Sequence, residues 1–212
     1  MGRVGSVGSV GFVGRVGKRL FIAVDIDEAT RAQVGRISTE LRDAIEAHTK
    51  ISWVRPDRMH LTLHFFGSAD GALEERVRGA LAHPIAQPAF DVSFDGLGFF
   101  PERGSPRVLW LGVRGGLEAL RRLHTALAEP TNEPFTPHLT LARFRARVSR
   151  AKLAEITSIP ASAGPSRIDR VTLYESRLSP ASLDSRSGRP EAARRAGPTY
   201  IPLVAALLAR SG

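Results

Sequence analysis

Two identical tetrapeptides, His60-Leu61-Thr62-Leu63 and His138-Leu139-Thr140-Leu141, stand 78 positions apart, each reached through a proline-containing approach. If each lies in a β-strand, alternation sends His and Thr to one face and both leucines to the other. The leucines then belong to a core and the His/Thr pair to a cleft. Duplicated, the pattern makes a site of two imidazoles and two hydroxyls. An imidazole with an ordinary pKa near ~6.5 can give or take a proton at neutral pH, so two of them can serve the opposite ends of one in-line displacement. Threonine hydroxyls donate hydrogen bonds without carrying charge and can hold phosphoryl oxygens without a metal.

A metal site is the competing chemistry, because His60 and His64 stand four apart like a helical ligand pair. On a strand, four steps of about 3.3 Å separate them by roughly 13 Å, too far for one ion. Pro56 and the alternating pattern favour the strand, so neither metal nor other cofactor is expected. His48, His83 and His124 read as surface or satisfied core residues. The chain contains no G-x-S-x-G elbow, which disfavours a serine hydrolase, and no cysteine, which removes thiolate nucleophiles, disulfides and Cys-ligated metals.

The elements that must position these residues follow from hydrophobic periodicity. Leu20 to Val24 is a short apolar strand ending in acidic residues, and Val34, Ile37, Leu41 and Ile45 give a helix over 28–48. Strands are expected over Met59 to Phe66, Phe90 to Phe94, Val108 to Val113, His138 to Phe144 and Ile168 to Glu175. Helical patterns run over Leu73 to Ala82, Leu117 to Leu127 and Ala151 to Ile156, and a short strand or helix over Tyr200 to Leu208. The alternation favours an α/β or α+β sheet fold.

The 212 residues suit one compact domain, 18–212, with the Ser/Arg/Pro-rich segment 182–197 expected to be a mobile loop. Residues 1–17 place Val-Gly at a period of three without proline, too short and proline-free for a triple helix and too interrupted for a signal peptide. A flexible tail is expected; a competing reading is that the tract is not translated and the start lies near Val16, which an intact mass that includes residues 2–15 would refute. The formal net charge is +9 and no apolar run is long enough for a membrane helix. A polyanion, above all nucleic acid, is therefore the natural partner, no membrane is expected, and a monomer in the cytoplasm is the working expectation. Arg143, Arg145, Arg147, Arg150 and Lys152 form a run without acids, either a track suited to an RNA backbone or a solvated basic loop. Phe65, Phe66, Phe99, Phe100 and Phe144 are candidates to stack a base, most of them expected in the core.

The paired H-x-T-x motifs sit between Trp53-Val54-Arg55-Pro56 and Phe65-Phe66-Gly67 on one side, and Phe135-Thr136-Pro137 and Ala142-Arg143 on the other. With the opening Arg19-Leu20-Phe21-Ile22-Ala23-Val24 and the late Leu173-Tyr174-Glu175-Ser176-Arg177-Leu178-Ser179-Pro180, the chain resembles the 2H phosphoesterase superfamily over about residues 18–205. Within it the resemblance is to the RNA 2′,3′-cyclic phosphodiesterases, formerly called 2′-5′ RNA ligases. The resemblance implies a bilobal, pseudo-twofold α+β fold in which two antiparallel sheets line a central cleft, with helices outside. It also implies metal-independent hydrolysis of RNA 2′,3′-cyclic phosphate ends to 2′-phosphomonoesters. His60 would donate a proton to the leaving ribose oxygen and His138 would accept one from water, with Thr62, Thr140 and Arg143 binding phosphate. Small cyclic nucleotides are a further substrate class to consider.

Periodicity qualifies two of these placements. Five steps beyond His138, Arg143 should face the leucine side and reaches the cleft only if the strand bulges or ends there. His64, by alternation, faces the cleft side, where it would either touch RNA or form part of a solvated face. Two other functions compete: the same chemistry reversed, joining a cyclic-phosphate end to a 5′-hydroxyl in a 2′-5′ bond, and a non-catalytic RNA-binding module that uses the cleft as an anion pocket.

Overall fold

The computed structural model describes residues 17–129, 134–177 and 198–209. The expectations for the 1–17 tail, Gly17 apart, and for the 182–197 loop lie outside these residues. Strand β1 (Lys18–Asp25) buries every residue from Leu20 to Val24 and lies between two other strands, as a continuous apolar run should. Helix α1 (Glu28–Glu46) starts at Asp27, whose carboxylate accepts from the Thr30 amide at 2.8 Å. The same carboxylate takes the Arg167 amide, and the Ser166 hydroxyl accepts from the Asp27 amide, so one cap fixes both the helix start and strand β8 (Ser162–Ile168) beneath it. A cap of this kind is worth about 1 kcal/mol.

The remaining elements are β2 (Ile51–Trp53), a 3₁₀ turn at Pro56–Arg58, β3 (His60–Ala69), α2 (Gly71–Ala80), β4 (Ile85–Pro88), β5 (Phe90–Phe100) and β6 (Val108–Gly115). They are followed by α3 (Leu117–Leu127), β7 (His138–Phe144), α4 (Arg150–Thr157), β9 (Arg170–Arg177) and β10 (Thr199–Ala209). Thus the last segment is a strand, and β2, β4 and β8 are additions to the expected set. The fold is α+β. The strand order is β4-β10-β9-β1-β3-β7-β6-β5-β8, with β2 beside β7. All pairings are antiparallel except β10 with β4.

Where the resemblance implies two sheets, the strands form one ten-stranded sheet, whose halves join at β3 and β7 through the register pair Leu61↔Leu139. The duplicated tetrapeptides therefore lie side by side where the two halves join. Their four leucines, Leu61, Leu63, Leu139 and Leu141, are all buried. Helices cross between halves: α1, which follows β1, packs on β8, and α3, which follows β6, packs on β3. Each half thus covers part of the other, which ties the two strands that carry the motifs into one core.

Candidate active site

Antiparallel geometry around Leu61↔Leu139 directs His60 toward Thr140 and Thr62 toward His138, leaving the imidazoles on the diagonal, roughly 7–8 Å apart at the backbone. A single tetrahedral anion can bridge that diagonal. The face they share opens into a cavity of about 530 Å³ lined by His60, Thr62, Thr140 and Arg143, with Arg19, Arg55, Arg58 and Arg145 around them. No carboxylate lines this cavity among the described residues. His138 is not among the residues that line it; its ring is edge-on to Phe100 at 4.8 Å and 6.3 Å from Trp110.

Both rings are held the same way. His60 Nδ1 lies 2.9 Å from the Arg58 carbonyl oxygen, and His138 Nδ1 lies 2.8 Å from that of Thr136. A carbonyl can only accept, so each Nδ1 carries the hydrogen and each Nε2 is the nitrogen that exchanges a proton. In both cases the carbonyl belongs to the residue two positions before the histidine, at the end of the proline-containing approach. Neutral Nε2 accepts a proton and charged Nε2 donates one, so the arrangement supplies either role at each end.

Burial lowers the pKa of both imidazoles below the ordinary value, and the positive charge of Arg143 adds to the effect at each. At His60 the Arg58 carbonyl and the Asp25 carboxylate oppose that shift. His60 is enclosed by rings: Phe21 stacks on it at 4.9 Å and Tyr200 meets it edge-on at 5.1 Å.

Arg143 reaches the cleft through a bulge. In the β6–β7 ladder Leu109 pairs with Ala142 and Trp110 with Thr140, so Leu141 is an extra residue. Leu141 and Ala142 are consecutively buried, and Arg143 emerges exposed on the same side as His138 and Thr140. The Leu141 carbonyl accepts from the Val54 amide at 2.8 Å, which satisfies the group beside the irregularity.

A second bulge overturns the expectation for His64. In the β1–β3 ladder Ala23 pairs with Thr62 and Ile22 with His64, which makes Leu63 the extra residue. Beyond it the faces exchange: Phe65 joins the cleft, 47% exposed, and His64 turns away from it. His64 packs against Phe66 at 4.7 Å and His124 of α3 at 6.1 Å. The Leu63 carbonyl lies 2.8 Å from His124 Nδ1, which donates to it, and His124 stacks on Phe135 at 4.2 Å. His124 is thus a satisfied core residue, as expected, and His60 and His64 face opposite sides of the sheet.

Of the basic run, Arg143 and Arg145 line the cavity, while Lys152 pairs with Glu155 on α4. Arg145 Nε donates to the Ser52 hydroxyl at 3.0 Å. Among the phenylalanines, Phe65 presents its ring to the cleft with the Arg19 guanidinium 5.3 Å from its centroid; Phe99 and Phe144 pack on each other. Sequence reasoning did not single out Phe21, Tyr200, Arg55 or Arg58. Only the strand carrying Phe21 and the approach carrying Arg55 gave a signal, as parts of the resemblance.

Residues 26–179, nearly three quarters of the chain, match the family model of the 2′-5′ RNA ligase superfamily. The chain belongs to that superfamily. It is 32% identical over 172 residues to an RNA 2′,3′-cyclic phosphodiesterase of Methanothermobacter thermautotrophicus, covering 77% of this chain and 92% of the relative. It is 36% identical over 134 residues to the enzyme of the same name from Archaeoglobus fulgidus, covering 60% and 73%. Among solved structures it is similar to TT0787 of Thermus thermophilus, with TM-score 0.67 and 27% identity over 92% of this chain and all of the other. Escherichia coli LigT complexed with ATP gives 0.65 and 26% over 92% and 99%.

Proposed function

We propose that this protein hydrolyses RNA 2′,3′-cyclic phosphate ends to 2′-phosphomonoesters without a metal. The observation that carries the reading is the side-by-side pairing of the two H-x-T-x strands beneath an arginine-lined cavity. One charged imidazole, His60, protonates the departing ribose 3′-oxygen. The other, His138, takes a proton from the attacking water, whose oxygen forms a bond to phosphorus as the P–O3′ bond breaks. Thr62 and Thr140 donate to phosphoryl oxygens, and Arg143 neutralises charge that builds in the transition state. At the end of a turnover the two protonation states have exchanged, and solvent restores them.

The names of the relatives support the choice of substrate, as does the capture of 3′-AMP and of phosphate by E. coli LigT in its crystals. Five arginines around one cavity suit a polyanionic ligand. The test is incubation of the full chain with an oligonucleotide ending in a 2′,3′-cyclic phosphate, in EDTA. The expected product is a strand of unchanged length whose 2′-hydroxyl keeps the phosphate. A product extended by a 5′-hydroxyl strand would indicate ligation instead. Salt-dependent binding without any product would leave an RNA-binding module.

A further inference from the structure

The two halves of the site are alike in motif, tautomer and backbone support, and yet they differ in what stands across the next strand. The residue opposite His60 in the β1–β3 ladder is Asp25; the residue opposite His138 in the β6–β7 ladder is Gly112. Asp25 does not hang free. Tyr174 on β9 donates its hydroxyl to Asp25 Oδ2 at 2.7 Å, and its ring stacks on Phe21 at 5.2 Å, the same Phe21 that stacks on His60. Gly112 offers no such group and has no room for one, since a Cβ there would stand 2.8 Å from the Asp95 carbonyl oxygen.

We infer that Asp25, held in place by Tyr174, is a positioning residue that breaks the symmetry of the histidine pair and makes His60 the proton donor. The inference rests on the hydrolytic reading above and deepens it. Two identical buried imidazoles beside one arginine would share a single proton without preference, and half of the protein would carry it on the wrong ring. A carboxylate near one of them favours the charged form of that ring alone. Burial, the largest influence, disfavours charge on both rings; at His60 the Arg58 carbonyl and the Asp25 carboxylate favour it, and Arg143 and His138 oppose it. Around His138 the Thr136 carbonyl is in favour and Arg143 against. Among the described residues Asp25 is therefore the one full negative charge that acts on His60 and not on His138. Asp25 touches neither substrate nor the reacting atoms in this scheme; it acts through His60.

The experiment is Asp25→Asn in the full chain, read in two ways. Proton NMR of the two ring Cε1–H signals, assigned with His60→Ala and His138→Ala, should show the His60 midpoint falling by about one pH unit while that of His138 stays, which is about tenfold in the population of the productive form. Because it needs no turnover, this measurement stands even if the hydrolytic reading fails. In kinetics on a cyclic-phosphate oligonucleotide, kcat should fall about tenfold with KM unchanged. Tyr174→Phe, which leaves the charge but releases it, should give a smaller change in the same direction, and guards against a folding defect in Asp25→Asn. An unmoved His60 midpoint in both variants would overturn the inference. So would a rise in kcat, which would make His60 the proton acceptor.

Discussion

Strands β3 and β7 begin with the same four residues and then part company. After His-Leu-Thr-Leu both carry a one-residue bulge, at Leu63 and Leu141, but the two bulges do opposite work. In β7 the extra residue brings the charged Arg143 onto the imidazole face; in β3 it brings the aromatic Phe65 there and sends the titratable His64 to the back. A duplicated motif has thus been furnished unequally: the bulge of β7 adds a cation to the cleft face, and that of β3 adds a ring. The lesson is that side-chain period survives only as far as the first bulge, and that function can sit just beyond it.

The comparison can be broken most sharply at the histidines. His60→Ala and His138→Ala should each lower turnover of a cyclic-phosphate end by about 10² to 10⁴-fold, and the double variant by little more than either, because donor and acceptor act in one step. Full activity in both single variants would dismiss the site. In the unmodified protein kcat/KM should trace a bell in pH. Burial lowers both imidazole pKa values, so the limbs should lie on the acid side of ordinary histidine: the rising limb where the acceptor loses its proton, the falling limb where the donor does. A flat profile between about pH 5 and 9 would count against two imidazoles.

The bulges supply the next contrast. Arg143→Ala should cost about 10 to 100-fold in kcat/KM, the value of one charge-assisted hydrogen bond to phosphate, with Arg143→Lys recovering part of it. His64→Leu should leave kcat/KM within about twofold, as a residue on the far side of the sheet. A large loss there would return His64 to the cleft.

The smallest effect is on stability. Burial lowers the His64 pKa, with the nearby His124 adding to it, so the unfolded chain binds this proton more readily than the fold does. Stability should then be lost as pH falls below the ordinary histidine value of about 6.5, down toward the lowered folded value. His64→Leu should remove part of that loss. Urea unfolding at about pH 7.5 and 5.5 measures it, and an equal acid loss in both proteins would refute it.

Much of this was legible before any coordinates. The His/Leu alternation, read with period two, put both tetrapeptides on strands with buried leucines, and the 3–4 spacing of Val34, Ile37, Leu41 and Ile45 marked α1. The condition set for Arg143, a bulge, is the one the strand meets. What could not be read was a bulge's position, because Leu63 and Leu141 are ordinary strand residues and the extra step exists only relative to a neighbouring strand. For the same reason periodicity misplaced His64. Strand β8 was hidden by its own composition: Ser162-Ala163-Gly164-Pro165-Ser166 has poor strand propensity, and is extended because β5 pairs with it and α1 covers it. Asp25, Phe21 and Tyr200 become site residues only through the ladder that gathers β1, β9 and β10 beside β3.

The most direct test of the central claim is a titration of the full chain with inorganic phosphate while following the Cε1–H resonances of His60 and His138. One tetrahedral ion held between two rings predicts that both signals move together, with a single midpoint and a stoichiometry of one, and that either alanine variant weakens the shift of the remaining ring. Movement of one ring alone, or two signals moving with different midpoints, would contradict a shared site.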